Sequence, residues 1–158
     1  MSGPSRPRDI DGPGCSAADL VSVDGQFRSA QRLEVDVHVE MPALADRYFE
    51  WLQRVFRGLV MVEGRTPDEE VVMRVLGVPA VRLRRTECDG DRMRYAVEGG
   101  ALARRGGEFV FERVGARDAI AILQGFRPRL PPWLYRYTHG RVHTSVMRRF
   151  RRYLEVTA

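Results

Sequence analysis

The chain has 158 residues, of which 44% are hydrophobic and 30% charged, with two cysteines and a formal net charge of +5 at pH 7. That length supplies one domain whose core needs no disulfide or metal staple, the balance excludes disordered and collagen-like classes, and apolar runs such as Ala119 to Leu123 are too short to span a bilayer. All 26 basic residues are arginine and asparagine is absent, a coding bias that dilutes the basicity as a signal for nucleic acid.

Residues 1 to about 30 mix Gly3, Pro4, Pro7, Gly12, Pro13 and Gly14 with small and charged residues and no sustained period, which predicts a flexible N-terminal arm ahead of a single domain over 31–158. Asp9, Asp11 and Asp19 interrupt any hydrophobic segment of a secretory signal, and neither Cys15 nor Cys88 belongs to a CxxC or Cys/His spacing. The expectation is a cytoplasmic protein with reduced thiols, no structural zinc and no membrane span.

From Gln31, the alternation of Leu33, Val35, Val37, Val39 and Met41 with Glu34, Asp36, His38 and Glu40 predicts a half-buried strand. Pro42 then opens a helix in which Leu44, Tyr48, Trp51, Leu52, Val55, Phe56 and Leu59 recur at spacings of three and four, with Gly58 weakening its end. Residues 59 to 76 admit two readings. Thr66-Pro67-Asp68-Glu69 fits a capping box before a short helix, whereas the density of valine over 59–63 and 70–75 favours a hairpin, which is the preferred reading.

Further hairpins follow: Val81 to Glu87 and Arg92 to Glu98 across Cys88-Asp89-Gly90-Asp91, then Glu108 to Val114 and Ala119 to Phe126 across Gly115 to Asp118. Gly99 and Gly100 predict a bulge or sharp bend, and Arg105-Gly106-Gly107 a turn. Pro128, Pro131 and Pro132 end the sheet before a helix from about Trp133 to Leu154, with Leu134, Thr138, Val142, Val146, Phe150 and Leu154 in one stripe and Tyr135, His139, His143 and Met147 beside it.

Strand, helix, six antiparallel strands and a long last helix is an order that resembles the START and polyketide-cyclase superfamily, called SRPBCC or helix-grip. The opening stretch from Val35 to Leu52, an alternating strand followed by proline and a helix with paired aromatics, is similar to the start of that family. The resemblance covers about residues 31 to 156 and rests on element order, since no invariant motif defines the superfamily. It implies an α+β fold in which a curved antiparallel sheet of about seven strands wraps a long C-terminal helix around a cavity for an apolar ligand. It also implies binding of a hydrophobic, polyketide-like molecule, cofactor-free cyclisation or dehydration in bacterial natural-product biosynthesis, and an acidic carrier protein as a partner. Fold alone does not fix function, so a non-catalytic carrier of lipids or other hydrophobes is the alternative, and a basic module for an acidic protein or nucleic acid the second.

Within that frame His143, His139 and Tyr95 are the candidate proton-transfer residues, because imidazoles titrate near neutral pH and a tyrosine on an apolar face can hydrogen-bond a substrate oxygen. His139 and His143 stand at i and i+4, but no glutamate separates them as in a zincin and no third ligand is placed, so neither a metal nor a cofactor is expected. Gln124, read on one face with Ile122 and Phe126, is the candidate polar ligand contact, and Tyr48, Trp51, Met93, Phe111 and Met147 the candidate apolar lining. Arg82, Arg84, Arg94, Glu98, Glu112 and Glu34 read as the wet face of the sheet, and Arg148 to Tyr153 as a solvated helix face with a docking role for an acidic partner.

Overall fold

The computed structural model describes residues 21–23, 26–64, 70–131 and 141–157; the side chains of 21–23 and 141–144 lie outside that set. Among the described residues, eight strands and two helices follow in the order β1 (Val21–Val23), β2 (Gln26–Glu34), α1 (Met41–Val55), β3 (Val60–Glu63), β4 (Val71–Val75), β5 (Val78–Cys88), β6 (Arg92–Gly99), β7 (Glu108–Gly115), β8 (Asp118–Phe126) and α2 (Arg141–Thr157). The strands form one antiparallel sheet, β1-β2-β8-β7-β6-β5-β4-β3, that curls into a half-barrel. Register shifts in the β2/β8, β4/β5, β5/β6 and β7/β8 ladders supply the curl, because each bulge bends its strand and raises the local twist.

Both helices lie on the concave face. Helix α1 packs on β3, β6 and β7, and α2 on β2. The core between them is rich in aromatics: Tyr48 stands 5.1 Å from the Phe150 ring, 5.6 Å from Phe109 and 5.8 Å from Phe111, mostly edge to face. On the convex face, opposite charges pair across strands, with Arg84 on Glu98 at 2.7 Å, Arg94 beside Glu87 and Glu108, and Arg92 bound to Glu112. This is the wet face that the alternation of β5, β6 and β7 predicts.

The hairpin reading of 59–76 holds at both arms, since β3 and β4 pair from Val60↔Val75 to Glu63↔Val72, which leaves no place for a helix reaching Leu76. Residues 65–69 lie outside the described set. The sharp bend at Gly99-Gly100 is present too: both glycines have positive φ, and a Cβ at Gly100 would collide with the Ala80 carbonyl.

Three boundaries in the first half of the chain differ from expectation. The sheet begins before residue 31, at β1 and at Gln26, so the predicted arm over 1–30 gives up part of its length; residues 1–20, 24 and 25 lie outside the described set. The strand expected over 31–41 ends at Glu34. Beyond it the Asp36 carboxylate accepts the His38 N–H at 2.8 Å and the Asp36 carbonyl accepts the Val39 N–H, a local turn that competes with the ladder and leaves Val37 exposed although its neighbours alternate correctly. Helix α1 stops at Val55 rather than Leu59, because Gly58 takes the left-handed conformation (φ 75°) and the Phe56 carbonyl accepts both the Leu59 and Val60 N–H groups.

The described part of α2 has 17 residues, shorter than the span of about 22 that the sequence predicts from Trp133, and it continues past Leu154 to Thr157. Residues 132–140 lie outside the described set. Val146, Met147, Phe150 and Leu154 turn inward from α2, as the predicted stripe requires, while Arg148, Arg149 and Arg152 face solvent. No described helix is long and apolar enough to cross a membrane.

Candidate functional site

The ladder register arranges the concave face into two inward rows. One runs Ser29, Leu123, Phe109, Tyr95, Arg85 from β2 to β5; the next runs Gln31, Ala121, Phe111, Met93 and ends at the exposed Cys88. Each row is apolar in the middle and polar at its ends. The pattern follows from period-two alternation, with the residues between them in β6 and β8 turned to the other face.

Tyr95 is the most confined polar group of the set. It is 0% exposed, its ring meets Phe49 edge to face at 5.7 Å, and its hydroxyl lies beside the Arg85 guanidinium with no acceptor for its proton among the described residues. Its cross-strand neighbour Arg85 places the guanidinium carbon 6.0 Å from the ring centroid. Burial pushes the Tyr95 phenol up to about 12; the Arg85 cation pulls it back in part, and Asp46 on α1 and Cys88 add to the rise. A buried hydroxyl without an acceptor is costly and calls for an explanation. At neutral pH this one is protonated and can donate to a carbonyl or enolate oxygen.

The expected lining residues Tyr48, Trp51, Met93, Phe111 and Met147 are all buried in the core, and the structure brings them together under α1 and α2. Trp51 lies 5.2 Å from Phe150, and Phe109 4.8 Å from Phe111, so among the described residues these rings fill one another's surroundings. A cleft of about 210 Å³ opens at one end of the helices, lined by Glu34, Val35, Asp36, Val39, Leu44, Arg47, Leu154 and Thr157, and includes none of the expected lining. It is smaller than the usual drug-sized site.

Gln124 is not a pocket residue. It is exposed on the convex face, where its amide nitrogen donates to Glu108 at 3.1 Å. Gly125 adopts φ 64° inside β8 and resets the alternation, so Ala119, Ala121, Leu123 and Phe126 face inward while Gln124 does not. His143 belongs to α2, with its side chain outside the described set, and His139 lies outside it altogether.

Two polar residues on the concave face, Ser29 and Gln31, were not anticipated from the sequence. Both are buried, at 3% and 7% exposure. Extending the alternation of Leu33 backwards through Gln31 and Ser29 to Phe27 is the signal that places them inward. Among the described residues no three His, Cys, Asp or Glu side chains converge as a metal site would require. No protein-family model and no curated protein sequence matches the chain.

Proposed function

We propose that the domain binds a hydrophobic, polyketide-like small molecule between the concave face of the sheet and α2, and promotes its cyclisation or dehydration without a cofactor. The observation that carries this reading is the Tyr95 hydroxyl: wholly buried, set between the Phe49 ring and the Arg85 cation, and with no acceptor for its proton among the described residues. A protonated phenol in such surroundings serves as a hydrogen-bond donor and general acid, stabilising negative charge that develops on a substrate oxygen. The apolar row on either side would hold the chain in a reactive fold, which supplies much of the rate in an intramolecular ring closure. His143 and His139 are the proposed proton carriers on the helix side. A helix-grip ligand domain of the SRPBCC type is the fold reading that goes with it, and the cytoplasm the proposed location.

The test is native mass spectrometry of the protein purified from its own host, with denaturing analysis of what is released. A stoichiometric apolar molecule is expected, and incubation of the candidate substrate with wild type should change its mass or ring pattern while Tyr95→Phe slows that change by about a hundredfold, the scale of one lost acid catalyst. Release of the same molecule unchanged after incubation would make the domain a carrier instead. A clean apo mass in every preparation would remove the ligand reading.

The outward face of α2 favours one partner. Arg148, Arg149 and Arg152 are exposed there, with Arg151 paired to Glu155 at 3.2 Å, and such a face suits an acidic carrier protein approaching by electrostatic steering.

A further inference from the structure

Gln31 is a second buried polar group on the concave face. It sits on β2 between Ser29 and Leu33, is 7% exposed, and its carboxamide oxygen makes no hydrogen bond among the described residues. Gln53 and Gln124 behave otherwise: the first accepts the Val62 N–H and the second donates to Glu108. No described donor, the Ser29 hydroxyl two residues away included, makes a hydrogen bond to the Gln31 oxygen. Its neighbour on β8 is Ala121, and α2, which covers β2, turns Val146, Met147, Phe150 and Leu154 inward. A carbonyl removed from water without a donor weakens the fold, so such a group is retained where something else supplies the hydrogen.

We infer that Gln31 is a specificity determinant of the ligand site, accepting a hydrogen bond from a hydroxyl or N–H carried on an apolar, ring-containing ligand. This rests on the ligand-binding reading above and narrows it. Tyr95 stands three strands away on β6, about 14 Å across the sheet at 4.7 to 4.9 Å per strand. One small polar group cannot reach both. Gln31 therefore recognises a different position of the ligand from the oxygen that Tyr95 would meet, and it selects for a donor where Tyr95 selects for an acceptor. The adjacent strand presents the small side chains of Ala119 and Ala121 to the β2 side of the face, whereas β7 presents the rings of Phe109 and Phe111.

The experiment compares two probes of nearly equal shape, 2-naphthol and 2-methoxynaphthalene, by titration calorimetry against the full chain and its variants. Wild type is expected to bind 2-naphthol about tenfold more tightly, the ratio that one extra hydrogen bond to a buried acceptor gives. Gln31→Met, which keeps the length and removes the acceptor, should bring that ratio near one, while Tyr95→Phe should leave it in place. Equal binding of both probes by wild type would overturn the role of Gln31 and leave the ligand reading standing. So would a preference that survives in Gln31→Met or vanishes in Tyr95→Phe. Failure of wild type to bind either probe would overturn the ligand reading and this inference with it.

Discussion

The side-chain oxygen of Gln53, on the last turn of α1, accepts the backbone N–H of Val62 at 3.0 Å. Val62 belongs to β3, the edge strand of the sheet, and the next outward N–H on that strand, at Val60, is taken by the Phe56 carbonyl. The end of one helix thus closes the hydrogen-bonding edge that a foreign strand would otherwise use. The same contacts fix α1 against the sheet and so position Tyr48 and Trp51, which project from its buried face.

Replacing Gln53 with Met should leave the packing largely unchanged and remove the acceptor. The expected cost is about 1 kcal/mol, read by denaturant unfolding, together with faster amide exchange at Val62 and concentration-dependent self-association through the opened edge. Unaltered exchange at Val62 would show that the bond does not protect the edge.

Gly107 and Gly125 approach each other back to back where β7 begins and β8 ends. A Cβ on Gly107 would lie 2.6 Å from the Gly125 carbonyl oxygen, and Gly107 also has φ 91°. Backbone cannot yield as a side-chain tip can, so Gly107→Ala should cost more than about 2 kcal/mol. Gly90, in the β5–β6 turn, has open space around it and no positive φ, so Gly90→Ala should be within about 0.5 kcal/mol of wild type. Similar unfolding midpoints for the two variants would contradict this account.

Phe111 is 0% exposed and touches the rings of Tyr48 and Phe109. Its truncation to Ala should cost about 3 to 5 kcal/mol, as for other buried aromatics. If a bound ligand normally presses on this ring, the cavity left behind should also admit a larger probe than wild type does. A loss under 1 kcal/mol would mean that Phe111 is not packed as described.

The hairpin succession from β3 to β8 was legible because valine-rich alternation and glycine turns agree there, and the inward set Met93, Tyr95, Val97 followed from it. The differences lie where a strand begins, ends or bulges, features that leave composition unchanged. Val37 continues the apolar alternation of Leu33 and Val35 but lies past the turn that Asp36 makes with His38 and Val39. Gln124 appears in phase with Phe126 only if Gly125 is taken as an ordinary strand residue. A strand that begins at Gln31 gives that residue no inward neighbour before it, whereas the ladder with β8 begins at Phe27 and carries Ser29 and Gln31 on the inward face. Element order survives such shifts, but the identity of the polar residues on the concave face does not.

The alkaline limb of the stability curve should report Tyr95 directly. Burial raises its native pKa to about 12, above the unfolded value of 10.0, so the folded state holds this proton more tightly. The resulting stabilisation is complete below pH 10 and is lost as pH rises through about 12, a change on the order of 2 to 3 kcal/mol. Burial moves the phenol of Tyr48 upward as well, so it adds to the same slope. Tyr95→Phe should therefore flatten the decline between pH 10 and 12 without abolishing it, while its stability at pH 7 stays level or rises, because a buried hydroxyl whose proton has no described acceptor is gone. Superimposable alkaline limbs for wild type and Tyr95→Phe would mean that the phenol is hydrated in the folded state. That outcome would also deprive it of the confined, permanently protonated character on which its role as a hydrogen-bond donor to substrate depends.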